Sequence, residues 1–305
     1  FQIPVPEVIL ALAYIAIGLA IGSAYGLPMS LPAVNSLAFT GMSNTAPAIV
    51  IAVGLVATFL TQRLNRTLYF VTALTSYCAM LVIHFNVKLW VPLINPAIWD
   101  EDYWAVDQAA RPLLDAAFAL RQGLASVFPV GRLSLFAFLS MFGISVIVHA
   151  TREFPVFRKV VLSAMLVHML GGLSYLIAPA VGPFLFEQGL NPIESARQVF
   201  MEGGYRATVE GGAPWLTAHG SEYLAAGIGA MPSLHVASSA VFVYFAWAHQ
   251  RYLCWLYFPL FGFIIIESMA TRWHYLVDDI AGLALTTLAI LTTEFIFRRW
   301  PMRSV

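Results

Sequence analysis

The sequence predicts an all-α integral membrane protein. Three observations carry that prediction: 60% of the 305 residues are hydrophobic, only 10% are charged, and the apolar residues gather into long windows. A soluble domain is about one-quarter charged because a water-facing surface has to be covered. This chain lacks the residues to cover one. Its formal net charge is zero, which removes the basic face that binding of nucleic acid requires. Cys78 and Cys254 sit inside separate apolar stretches and read as small core residues rather than as a disulfide. No spacing of histidines and acids resembles a zinc or calcium site. Neither a metal nor another cofactor is therefore expected.

A helix crosses the hydrocarbon core with about 20 mainly apolar residues. Eight windows meet that need, at 8–27, 44–62, 67–87, 133–150, 160–181, 232–249, 252–271 and 275–297. The second is the weakest, since Pro47 and the polar run "MSNT" shorten it. Two long hydrophilic stretches, 88–132 and 182–231, share one face with 28–43 and the turn 272–274. The opposite face receives "TQRLNRT", "TREFPVFRK", "HQR" and "RRWPMR", nine of the sixteen Lys and Arg by count. The positive-inside rule places those segments and both termini in the cytoplasm, and the long loops on the periplasmic, extracellular or lumenal side. Within 100–128, residues Leu113, Leu114, Ala117, Leu120, Leu124 and Val127 recur at helical spacing, which predicts a helix lying along the outer interface.

Two clusters near the outer face carry chemistry. In "GAMPSLHVASSA", 229–240, Pro232 suits the first turn of the sixth span. The unpaired amides of that turn, with Ser233, form a place for an anion, and His235 stands beside it. In "SMATRWHYLVDDIAGLAL", 268–285, residues His274, Asp278 and Gly282 recur every fourth position and share one side of the eighth span. A carboxylate that accepts one ring N–H leaves the other nitrogen basic and free to attack. The bland alternative is a structural His–Asp pair at a helix end. Two histidines at matching span ends divide phosphoryl transfer between them, one attacking phosphorus and one protonating the departing oxygen.

"GAMPSLHV" followed by "HYLVDDIAG" resembles the second and third signature motifs of the type 2 phosphatidic acid phosphatase superfamily, Pro-Ser-(Gly/Leu)-His and His-x-x-x-Asp. The leucine of "PSLH", the preceding "MP" and "SYLIAPAVGP" at 174–183 are most similar to the branch containing inositol phosphorylceramide synthases. The likeness runs from near the fourth span to the C-terminus. It implies a six-helix catalytic core, 67–305, preceded by two accessory helices in 1–66. It also implies that His274 becomes a phosphohistidine, that Asp278 orients it, and that His235 is the general acid. Ser233 and Pro232 then hold the phosphate, and Gly182 and Pro183 of the fifth-span exit contact substrate. The substrate so implied is a lipid phosphate or phosphodiester, and the acceptor is a lipid or sugar hydroxyl, or water in the phosphatase alternative. A lipid transporter on the same helices is the non-enzymatic rival. Oligomeric state is left unassigned.

The chain departs from the pattern in its phosphate clamp. The lysine followed by Arg-Pro is absent, the sole Arg-Pro being Arg111-Pro112, and Ser268 stands where the third motif has an arginine. Arg272 is the expected substitute. Elsewhere, Glu294 and Arg298 are spaced as a pair within one helix, and His84 and His149 read as interfacial. His168 reads as bonded to a neighbouring helix, Glu267 as either site-facing or a boundary group, and Arg197 and Arg206 as solvated loop residues.

Overall fold

The computed structural model describes residues 5–32, 45–128 and 130–299. Regular structure among them is helical throughout. In chain order the helices are α1 (Pro6–Tyr25), α2 (Thr45–Thr61), α3 (Leu64–Ile94), α4 (Asp100–Ala109), α5 (Arg111–Val127), α6 (Leu133–Arg152), α7 (Phe154–Ile177), α8 (Pro192–Tyr223), α9 (Leu234–His249), α10 (Cys254–Ala270) and α11 (Leu276–Arg299). α1 opens with proline in its first turn and stops at Gly26, whose φ of 62° is the left-handed cap that glycine adopts without a Cβ clash.

Among the described residues five stretches are long and apolar enough to cross a membrane: Pro6–Tyr25, Leu64–Ile94, Phe154–Ile177, Arg251–Ala270 and Leu276–Arg299. The windows expected at 44–62 and 133–150 hold shorter apolar stretches, Ile51–Thr61 and Phe136–Arg152, and α9 has 16 residues. Residue 44, and the tail from residue 300 onward, lie outside the described residues. The third helix overruns its window of 67–87 and carries Lys88 inside it.

α7 is the centre of the bundle and packs on α1, α3, α6, α9 and α11. Its sequence explains the position, since Val, Leu, Ala, Gly and Met occupy every side and leave no polar face for water. α11 lies against both α7 and α9. Gly282 permits that approach: a Cβ there would fall 2.6 Å from the carbonyl oxygen of Ser233.

The outer stretches are more ordered than hydrophilic loops would be. The helix expected over 100–128 breaks at Ala110 into α4 and α5. α5 buries Leu114, Ala117 and Arg121 against α10 and leaves Leu113, Leu120 and Val127 exposed as an apolar stripe. The stretch 182–231 contains the 32-residue α8, interrupted by non-helical backbone at Gly212.

Several charges inside the bundle are paired, as an apolar interior favours. Arg121 reaches Glu267 at 3.0 Å, so Glu267 is a structural partner. Glu294 pairs with Lys159 of α7 at 2.9 Å rather than with Arg298, because the inter-helix lysine offers both hydrogen bonds at once. His84 and His149 are buried rather than interfacial. His168 bonds to the hydroxyl of Tyr77 on α3 at 3.1 Å. Arg197 and Arg206 engage Glu194 and Glu202 on their own helix.

The buried pair Glu7–Arg158, 3.4 Å apart, ties α1 to α7, and the hydroxyl of Tyr69 donates to the same carboxylate. Arg158→Met strands Glu7 in an apolar site, and thermal unfolding in detergent should register a loss of about 3–5 kcal/mol. Adding Glu7→Leu should restore most of that loss.

Candidate active site

Three connections meet at one end of the bundle: the exit from α7, the approach to α9, and the turn between α10 and α11. Backbone hydrogen bonds join them. The amide of Phe184 donates to the carbonyl of Arg272 at 3.2 Å, that of Leu190 to Ala270 at 3.0 Å, and that of Ala230 to Ala180 at 3.2 Å. Gly182 and Pro183 thus lie in the wall beside the turn that carries His274.

The start of α11 is fixed by two carboxylates. Asp278 Oδ2 accepts the amide of Tyr275 at 2.8 Å, and Asp107 Oδ1 accepts that of Leu276 at 2.9 Å. Both satisfy donors that a helix start leaves open, and both complement its dipole. Asp107 lies on α4 with Asp100, whose carboxylate accepts the amides of Val181 and Gly182 and the hydroxyl of Tyr275. Burial pushes the Asp100 and Asp107 carboxyls above the usual range, against the hydrogen bonds that favour their charged forms.

His274 stands directly before this helix. Its Nδ1 is 2.8 Å from the carbonyl oxygen of Ala230 and 3.6 Å from Asp278 Oδ2. A carbonyl only accepts, so Nδ1 carries a proton, and in the neutral ring Nε2 keeps its lone pair. The ring N–H expected on Asp278 therefore goes to Ala230. Asp278 is engaged with the helix amide and acts on the ring chiefly through its charge, 3.6 Å being too long for a full hydrogen bond. Burial lowers the affinity of His274 for a proton, but the carboxylates of Asp278 and Asp279 together with the Ala230 carbonyl outweigh it, and the net pKa is raised.

The two motif segments are locked to one another. Besides the His274–Ala230 bond, the amide of Ser233 donates to the carbonyl of Asp278 at 3.0 Å. His235, the second residue of α9, is exposed, rests edge-on against Phe138 at 5.0 Å, and interacts electrostatically with His274. Among the described residues the amides of Leu234, His235 and Val236 have no backbone acceptor, which leaves donors for an anion.

The remaining expected residues sort differently. Pro232 follows a cis peptide bond and precedes α9 instead of entering its first turn; Ser233 is the helix cap. The Ser233 hydroxyl is buried beside Asp279 without completing a hydrogen bond. Ser268 is occupied by Asp279 at 2.6 Å. Arg272 is fully buried with φ at 60°, stacks over Trp104, donates to Asp107 at 2.9 Å and lies 3.4 Å from Glu187. Its Nη1 has no hydrogen-bond partner, but its charge is matched by two carboxylates.

Four groups at this end escaped the sequence reading: Asp100, Asp107, Tyr175 and Lys88. The acids carried a signal, since Asp100, Tyr103 and Asp107 follow the spacing of one buried helical face. Lys88 carried another, as a cation at the edge of an apolar window. Tyr175 gave none. Among the described residues no cluster of His, Cys, Asp or Glu is placed to hold a metal ion.

The model of one family, described as the PAP2 superfamily, matches residues 113–292, more than half of the chain and inclusive of both histidine motifs. No curated protein and no solved structure gives a match.

Proposed function

The chain belongs to the PAP2 superfamily, and from that premise we propose a multi-pass membrane enzyme that moves a phosphoryl or phospho-head group from a lipid phosphate or phosphodiester to an acceptor hydroxyl. Membership brings phosphatase or phosphotransferase chemistry; the substrate, the acceptor and the residue roles are our inference. The observation that carries it is the Nδ1–Ala230 hydrogen bond, which in the neutral ring leaves the lone pair on His274 Nε2 at the meeting point of the two motifs.

In the first step Nε2 attacks phosphorus and the bond from phosphorus to the leaving oxygen breaks. Protonated His235 gives its proton to that oxygen. In the second step the acceptor hydroxyl attacks the phosphohistidine, its proton passes to His235, and the N–P bond breaks to return neutral His274. The open amides at the start of α9, with Ser233 and Pro232 around them, stabilise charge on the non-bridging oxygens. Asp278 stabilises the cationic imidazole, Gly182 and Pro183 bound the head group, and Arg272 and Ser268 support the turn from behind.

Transfer is favoured over hydrolysis by two features. The phosphatase clamp is missing from its usual positions, and "SYLIAPAVGP" is similar to the inositol phosphorylceramide synthase branch. We place the site on the outer side of the membrane with both termini in the cytoplasm, and α2, α6 and α9 crossing alongside the five longer stretches. Supporting this, α4, the α7 exit and the α10–α11 turn share one end, and eight crossings put all three on one side.

Incubated with a short-chain lipid phosphate, the purified protein should gain a phosphate on His274, detected by mass spectrometry. His274→Ala should lose that adduct, and His235→Ala should lower turnover by about 10²–10⁴-fold. Phosphate release that proceeds undiminished without any acceptor would replace transfer by hydrolysis; turnover untouched in both variants would remove the mechanism altogether.

Neutral His274 is the nucleophile and its pKa is raised, so kcat/KM should fall as pH drops through that raised value. Asp278→Asn removes the larger of the two raising charges, so the pKa falls although Asp279 and the Ala230 carbonyl remain. The acid limb of the pH–rate profile should therefore move to lower pH, while an unmoved limb would detach His274 from it.

A further inference from the structure

Beside the site one cation rests on an aromatic face and has no carboxylate partner among the described residues. Lys88, near the C-terminal end of α3, lies outside the family-matched stretch. Among the described residues no carboxylate lies within ion-pair distance of its ammonium. The other cations nearby are neutralised: Arg272 by Asp107 and Glu187, Arg121 by Glu267, Arg111 by Glu187 and Asp115. A half-buried ammonium without a counter-charge is a ready place for an anion, and one that arrives with a substrate supplies that counter-charge.

Geometry aims this lysine at the site. Its Nζ is 5.7 Å from the centre of the Tyr175 ring, and the Tyr175 hydroxyl donates to the carbonyl of Pro232 at 3.2 Å. A Cβ on Gly229 would fall 2.7 Å from Lys88 Cε and 2.9 Å from the Tyr175 ring. The side chain therefore lies against the segment leading to His235, where a residue larger than glycine would have to displace the lysine tip or the Tyr175 ring. Its charge acts on both His235 and His168. The same lysine lines a half-open cleft between α3 and α8, with Leu89, Gly204, Tyr205, Thr208 and Gly227.

We propose that Lys88 grips the phosphate of the substrate, supplying from α3 a cation that no carboxylate among the described residues neutralises. The proposal rests on the site taking a phosphate, whichever acceptor follows.

Binding tests it apart from turnover. Full-length protein carrying His274→Ala, held in detergent micelles, is titrated calorimetrically with dioctanoyl phosphatidic acid, inorganic phosphate and dioctanoylglycerol. Adding Lys88→Met should weaken phosphatidic acid binding about 10- to 100-fold, the worth of a charge-assisted hydrogen bond, without moving dioctanoylglycerol. Lys88→Arg should retain most of the affinity. Parallel weakening of inorganic phosphate identifies the phosphate alone as sufficient; weakening of phosphatidic acid alone requires the lipid as well. Either result fits. Unchanged phosphatidic acid binding in Lys88→Met overturns the proposal, as does a Lys88→Arg protein with parental melting temperature that binds no better than Lys88→Met. Lys88-dependent binding in a parent chain that shows no phosphohistidine would sink the mechanism and leave this site standing.

Discussion

Capping of α11 by Asp107 and Asp278 is the constraint on which the rest of the site depends. A buried amide at a helix start, left without an acceptor, costs about 1–3 kcal/mol, and here one buried and one partly buried amide need acceptors. The carboxylates remove that cost and fix where the helix begins, and His274 is the second residue before its first turn. Asp107 also holds Arg272, whose left-handed backbone reverses the chain just ahead of the histidine. Such a conformation is unfavourable for a residue with a side chain and is retained because the guanidinium is clamped by Asp107, Glu187 and the face of Trp104. The Ser233 amide then docks α9 onto the same turn.

How much of this was legible depended on whether the cause lay along the chain or across it. The all-helical class and the long apolar stretches follow from composition and periodicity, which are local. His235 and His274 were found because each sits in a short motif at a helix start. The tautomer of His274 was not legible: its partner is the carbonyl of Ala230, and a backbone oxygen leaves no mark in sequence. Asp278 looked like the ring's acceptor because its spacing is correct for a helix, yet His274 lies before the helix, and the carboxylate is drawn to the open amide of Tyr275 instead. The acids of α4 were hidden by context, since a run of Asp and Glu ahead of an apolar span resembles a solvated loop until α11 is packed upon it. Glu294 failed for a similar reason, Lys159 being reachable only across helices.

α1 and α3 are bonded into the bundle as well as packed on it. Glu7 meets Arg158, α1 lies along α3 and α7, and Lys88 lies against the approach to α9. The polar interior is thereby distributed over elements remote in sequence. Several charges that one helix brings inward are answered by another, while Lys88 has no carboxylate partner among the described residues.

The placement of Asp107 on α4 has a wider consequence. The stretch by which the chain is recognised as kin begins at residue 113, after the acid that caps its last helix has already been laid down. A piece excised at the border of the similarity would carry both motifs and yet lack a buttress for the turn between them. What descends as a recognisable signature is here smaller than what must be kept together for it to operate, and grafting the motif-bearing half onto another scaffold would have to bring an equivalent of α4 with it.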